Sequence, residues 1–308
     1  MEINTLKELA RSRGFQLFGI APAVIPEKDK ENINLWIEEK RYGSMSWFEK
    51  NKHLRLNFES LGFEVASVIV LGILYRDVQY SRIKQTLDFK ISSYALGKDY
   101  HTIIKQKSLP ILQFLRERFP EKKFRQGVDS LPVAEKILGR EAGLGWIGKN
   151  TNLIHSDRGS FFFLSVILSE VELEKTNQLH PDRCGTCRKC VDACPTGALE
   201  EYKIDARKCI SYLTIENKEE EFSKETKKDL SGWVYGCDIC QEVCPWNREK
   251  RGSKLFTEEK DFYVKSEWKT MSREKLKKLT EEEFLNLVRT SAMQRISYKQ
   301  FLRNLKSE

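Results

Sequence analysis

The segment CGTCRKCVDACP (184–195) sets Cys184, Cys187, Cys190 and Cys194 in the order C-x2-C-x2-C-x3-C, with Pro195 directly after the last. Bacterial ferredoxins that hold two [4Fe–4S] clusters use this spacing. A tight loop of three thiolates wraps one face of a cubane, and the fourth cysteine turns away to the neighbouring cluster. A second copy ends in CDICQEVCP (237–245), where Cys237, Cys240, Cys244 and Pro245 repeat the pattern without its first cysteine. Cys209 supplies that cysteine if residues 210–236 are an insertion within the loop. Crossed pairing then gives one cluster to Cys184, Cys187, Cys190 and Cys244, and the other to Cys194, Cys209, Cys237 and Cys240. All eight cysteines are used. The competing reading is two structural zinc sites, each with four cysteine ligands, which also favour C-x2-C knuckles. Zinc requires neither three cysteines at two-residue spacing nor the proline that here occurs twice.

Working outward, a chain of 308 residues amounts to about two domains at roughly 150 residues each. Its 40% hydrophobic and 32% charged content is too apolar for disorder and too charged for a membrane bundle. The longest apolar run, residues 65–75, spans 11 positions, well short of the ~20 needed to cross a bilayer. The opening MEINTLKELARSRGF has neither an apolar signal core nor a twin-arginine pair, so the chain reads as cytoplasmic. In that reducing compartment, clustered cysteines are better candidates for metal ligands than for disulfides.

Periodicity predicts a helix over 3–13 ending at Gly14, a strand in FQLFGIAP (15–22), and a second helix over 30–41. The runs SVIVLGILY (67–75) and SFFFLSVIL (160–168) read as buried strands of one sheet. Residues 98–118 read as a helix that Pro110 should kink or break, and 132–142 as another, followed by a turn rich in glycine (Gly143, Gly145, Gly148). The expected fold class is α+β. A mixed α/β domain covers 1–175, a two-cluster ferredoxin-like domain with its 210–236 insertion covers 176–250, and a basic helical extension covers 251–308. In that extension Thr280 and Glu283 form a capping-box pattern.

Two adjacent cubanes pass single electrons, and 175 residues of preceding chain suggest an acceptor. No G-x-G-x-x-G follows a strand there. Asp99-Tyr100-His101 approaches the D-x-H-x-x-G cobalamin motif, but Ile104 replaces its glycine and the segment opens a helix, which argues against His101 as an axial ligand. His53, His155 and His180 stand without metal-ligand spacing.

Beyond the cysteines, ISSYALGKDYH (91–101), VDSLPVAEK (128–136), AGLGWIGKNTNLI (142–154), GSFFFLSVIL (159–168), CISYLTIE (209–216) and GWVYGCDICQEVCPWN (232–247) carry a resemblance to the epoxyqueuosine reductase family. It runs from about residue 3 to Asn304. The chain departs from the family pattern at Ser93 and Lys136, where arginine is usual, and at Val65-Ala66 in place of Pro-Gly; it stops soon after FLRN (301–304), where many members continue into a helical repeat domain.

The resemblance implies cobalamin as a cofactor beside the two clusters, an external low-potential electron donor, and tRNA carrying epoxyqueuosine in its anticodon arm as substrate. It also implies Asp129 as the proton donor, a carboxyl whose pKa an apolar pocket would raise. The reading from residues alone is that Asp129 caps the helix beginning near Pro132. Cobalamin contacts carried over in the same way are Arg55, Tyr94, Asp129, Lys149, Asn150, Ser160, Ser211 and Tyr212. Glycines 143, 145 and 148 serve either a cofactor approach or a tight turn.

The formal charge of +8 falls to about +4 once each oxidised cubane contributes roughly −2. Residues 251–308 hold 14 Lys and Arg against 9 Asp and Glu, which permits RNA binding. Two other readings remain at this point: a cobalamin-dependent, dehalogenase-like reductase of small molecules, and a non-enzymatic electron-transfer module. Anaerobically purified protein is expected to hold about eight iron and eight sulfide per chain. Metal analysis returning two zinc instead would overturn the cluster assignment.

Overall fold

The run SVIVLGIL forms a strand, Ser67–Leu74, buried at every position. A strand covered on both faces has no polar alternation, which is why it reads as one apolar run. The computed structural model describes residues 2–58, 61–176, 178–249 and 254–306. In it this strand lies inside a four-stranded sheet of order Leu17–Pro22, Ser67–Leu74, Phe162–Ser169, Phe124–Gly127. Every pairing is antiparallel, with Ile20 opposite Ile69 and Val70 opposite Val166. On one face Ile69, Leu71, Ile73 and Ile167 pack with Leu6 and Ala10 of helix Glu2–Ser12 and with Ile104, Ile111 and Leu115 of helix Tyr100–Arg118. On the other, Val68, Val70, Leu74 and Val166 meet Leu138 of helix Glu135–Glu141. Each fully buried aliphatic side chain contributes about 1.5–3 kcal/mol, so this three-layer packing fixes the sheet from whose edge Phe124–Gly127 leads into the site.

Several element bounds differ from those read in the sequence. The second helix is Glu27–Glu38 and starts after Pro26, with Glu27 and Asp29 in its first turn. Pro110 does not end its helix, which is continuous over Tyr100–Arg118; buried Ile103, Ile104, Ile111, Leu112 and Leu115 hold the turns on either side. Helix Glu135–Glu141 starts three residues after Pro132. The Val133 and Glu135 N–H groups bond two residues back, to Leu131 and Val133 carbonyls, so 131–134 is a tight loop and not a helical turn.

The 210–236 insertion folds as Ile210–Ile215, Lys224–Asp229 and a strand Trp233–Tyr235 that pairs parallel with Lys90–Ile91. The C-terminal segment is helical as expected, and the Thr280–Glu283 capping box is present. It does not stand apart. Trp268, Phe284, Val288 and Phe301 share one core with Tyr80, Phe89, Leu96 and Val234. Among the described residues no helix is long and apolar enough to cross a membrane.

Asn304 ties the last helix to the insertion, its Nδ2 donating to the Thr214 carbonyl (2.8 Å) and the Val234 carbonyl (2.9 Å). Asn304→Ala strands two buried acceptors and is expected to destabilise the holoprotein by about 1–3 kcal/mol. Thermal unfolding with cluster absorbance as the second signal checks this; an unchanged Tm would show that the tie carries no stability.

Candidate active site

The thiols fall into two sets. Burial and then Cys184, Cys190 and Cys187 push the Cys244 thiol up to about 11. Burial, Cys209 and Cys194 raise Cys237, while burial, Cys237 and Cys209 raise Cys240 far above the ordinary thiol range. Cys190 also acts on Cys240, so the two sets are neighbours. Thiolates crowded in this way repel one another until a cation sits among them, and an all-sulfur donor set suits iron in a cluster. Backbone N–H groups aim at these sulfurs: Ser211 and Tyr212 at Cys209, Trp246 at Cys244, Lys149 at Cys184. Such hydrogen bonds are one means of setting a cluster's potential. The glycine-rich turn divides its roles. Gly145, at φ +154°, leaves room for the Ile154 carbonyl, whereas a Cβ on Gly148 would lie 3.4 Å from Cys184 Sγ.

A cavity of about 240 Å³ is bounded by Cys194, Cys209, Cys237 and Cys240 on one side and by Tyr94 and Lys136 on another. Lys136 donates to Asn152 Oδ1 (3.0 Å). Burial lowers its pKa against the pull of Cys240, Asp129 and Cys209.

Asp129 follows strand Phe124–Gly127 at φ +52°, a left-handed conformation that aspartate tolerates better than most residues. Its N–H donates to Glu135 Oε1 (2.9 Å), and Tyr100 Oη donates to its Oδ2 (2.8 Å). His101 Nε2 lies 3.8 Å from the same oxygen. The helix-capping reading fails, because helix Glu135–Glu141 has Ala134 at its N-cap and no side-chain cap. The expected rise in pKa is also corrected. Burial pushes Asp129 up, but the imidazole of His101 beside it and the hydrogen bond from Tyr100 outweigh it, and the carboxyl stays below its ordinary value. Its side chain is 69% exposed at the cleft surface, which limits the burial effect. The raised carboxyl is Glu135, pushed up to about 8 by burial and by Asp129.

The other candidates divide. Arg55 is buried over the Phe48 ring (4.2 Å), feels Asp129 and Glu135, and keeps its Nε without a partner. Tyr94, Asn150 and Ser211 line the thiol cavity, and Asn150 Nδ2 donates to the Cys240 carbonyl (3.2 Å). Like Asn150, Lys149, Ser160 and Tyr212 have their polar atoms engaged by protein. Lys149 pairs with Glu201 (3.1 Å), Ser160 Oγ donates to Gln241 (2.9 Å), and Tyr212 Oη receives the Ser44 N–H (2.7 Å). Three residues of the site lie outside the expected set: Tyr100, His101 and Glu135. The tripeptide Asp99-Tyr100-His101 is the visible signal for the first two, although as a cobalt motif it fails; Glu135 lies in the stretch VDSLPVAEK (128–136).

Residues 183–247 match the 4Fe-4S double cluster binding domain, and residues 55–130 match the family described as epoxyqueuosine reductase QueG, DUF1730. The epoxyqueuosine reductase of Leadbetterella byssophila is 38% identical over 303 residues, 97% of this chain and 96% of that protein. That of Cyclobacterium marinum is 39% identical, covering 97% and 94%. A crystal structure of epoxyqueuosine reductase with an epoxyqueuosine-modified tRNA-Tyr stem loop superposes with a TM-score of 0.83 at 25% identity, over 98% of this chain and 79% of that one.

Because Cys209 belongs to one thiol set only, Cys209→Ser should damage one cluster and spare much of the other. Iron content and low-temperature paramagnetic resonance check this. Two intact clusters would remove Cys209 from the ligand set.

Proposed function

The chain belongs to the epoxyqueuosine reductase family, and on that premise we propose that it reduces the epoxide of epoxyqueuosine at the wobble position of tRNA to queuosine, using cobalamin fed by two [4Fe–4S] clusters. The observation that carries this reading is the place of Lys136, which lines the cavity bounded by Cys194, Cys209, Cys237 and Cys240 and whose ammonium also feels the Asp129 carboxylate. The net change adds two electrons and two protons, opens the strained ring to the alkene and releases its oxygen as water.

The residues present suit cobalamin. Arg55 keeps a buried Nε without a partner, and Tyr94, Asn150 and Ser211 line the thiol cavity with an aromatic ring and short polar groups. When bound, that group supplies a low-potential metal able to push electrons into a strained C–O bond. The protein's own residues do the rest. The crossed cysteine sets would hold the two clusters, which would pass electrons one at a time from an external low-potential donor. Tyr100 and His101 orient Asp129, whose carboxyl carries the proton that the departing oxygen requires. The base has to leave its stack to reach this cleft, as single-stranded RNA bases readily do. The sequence divisions then have distinct tasks: 1–175 presents the acid, 176–250 the clusters, and 251–308 braces the insertion between Cys209 and Cys237.

Asp129→Asn keeps the shape and the Tyr100 contact but removes the acid. It should retain cobalamin and both clusters while epoxide reduction falls by about 10²–10⁴-fold, the usual cost of losing a general acid. The assay uses epoxyqueuosine-containing tRNA with a chemical reductant. Near-normal turnover would return Asp129 to a purely structural place.

A further inference from the structure

An acid held below its ordinary pKa is ionised at neutral pH and has to be given its proton by something else. We propose that Asp99 and His101 form a proton relay that recharges Asp129 from the cavity behind it, an inference that rests on Asp129 being the proton donor. Asp99 Oδ1 lies 2.7 Å from His101 Nδ1, which fixes the ring so that Nε2 faces Asp129 Oδ2 at 3.8 Å. The ring is held flat by stacking on Tyr100 (4.0 Å, 26°), which stacks in turn on Phe163 (4.1 Å, 9°). Gln294, from the C-terminal segment, donates to the other Asp99 oxygen (3.1 Å). This is the arrangement of a base, its orienting carboxylate and the group it serves.

His101 also lines a second cavity, of about 450 Å³, with Lys105, Gln106, Gln126 and Ser130. That cavity gives solvent a route to the imidazole that avoids the thiol cleft. The charged groups facing His101 are Asp99 and Asp129, with Lys105 on the wall of the same cavity and Glu135 beyond; Arg295 acts on Asp129. The Asp129 carboxylate 3.8 Å away and the hydrogen bond to Asp99 raise the imidazole to about 9, so it carries its proton at neutral pH. The transfer breaks the Nε2–H bond and forms an O–H bond on Asp129; it runs uphill and is drawn forward because the oxygen released on ring opening, a far stronger base than either group, takes that proton on, while the Nδ1 proton stays on the nitrogen that faces Asp99. The neutral ring then takes a proton from solvent. One such proton accompanies each electron that the clusters deliver, and two complete the water. A separation of 3.8 Å is within a small rotation of the exposed Asp129 carboxylate, and such contacts tighten when substrate binds.

Asp99 also caps helix Tyr100–Arg118 by accepting from the His101 N–H. Asparagine caps equally well, so Asp99→Asn removes the charge and leaves the cap. In the holoenzyme, single-turnover epoxide reduction is expected to fall as pH rises through about 9, because the raised pKa keeps the relay charged only below that value. Asp99→Asn should move this alkaline limb down by about one pH unit, as expected for removing one adjacent carboxylate. His101→Gln should abolish the limb and slow the reaction by about 10–100-fold. Affinity for the tRNA and the cluster and cobalamin spectra should be unchanged. An imidazole ¹⁵N titration of His101, one of four histidines, should show the same shift in Asp99→Asn without any turnover. If Asp129→Asn is inactive while both relay variants keep the native limb and rate, the relay is wrong and the acid stands. If Asp129→Asn is active, the acid assignment itself has failed.

Discussion

Four crowded thiols cannot all ionise side by side unless positive charge is set among them, and much of this fold is the means of holding them there. Cys209, Cys237 and Cys240 each have their ionisation opposed by burial and by neighbouring sulfurs. Cys194 and Cys209 line the same cavity as Cys237 and Cys240. The chain between Cys209 and Cys237 must therefore leave the cluster loop and return to it. It does so by adding Trp233–Tyr235 as a strand beside Lys90–Ile91, and that pairing sets the position of Cys237. The C-terminal helices close over the same place, with Arg303 donating to the Leu213 carbonyl (3.0 Å). The basic segment is thus part of the cluster's support, whatever its surface does.

The proton side obeys the opposite logic. Here titratable groups of unlike sign are set in contact, and their pKa values are driven apart: Asp129 and Asp99 down, His101 up to about 9 and Glu135 up to about 8. Separation of this kind lets a carboxyl and an imidazole divide acid and base roles at one pH. Asp129 also sits at φ +52°, a conformation held by the Glu135 contact rather than by the residue's own preference.

Local signals carried what depends on local chemistry. Cysteine spacing is such a signal because three thiolates on one cubane face must come from one tight loop, and the apolar runs at 67–75 and 160–168 are another, being adjacent strands covered on both faces. The capping box at Thr280 and Glu283 was visible for the same reason. The sequence hid what depends on distant partners. Nothing near Asp129 announces that Tyr100 and His101, at the start of a helix distant in sequence, lower its pKa, or that Gln294 reaches Asp99 across 195 positions. Lys149, Ser160 and Tyr212 looked available because the residues that engage them, Glu201, Gln241 and Ser44, lie far along the chain.

Lys136 joins the two halves of the site. The resemblance leads one to expect arginine there, and the two are not equivalent: a guanidinium keeps its charge under burial, whereas an ammonium gives it up more readily. In this chain burial already lowers the Lys136 pKa, and Cys240, Asp129 and Cys209 hold it up. An arginine in this place would keep its charge whatever stood around it.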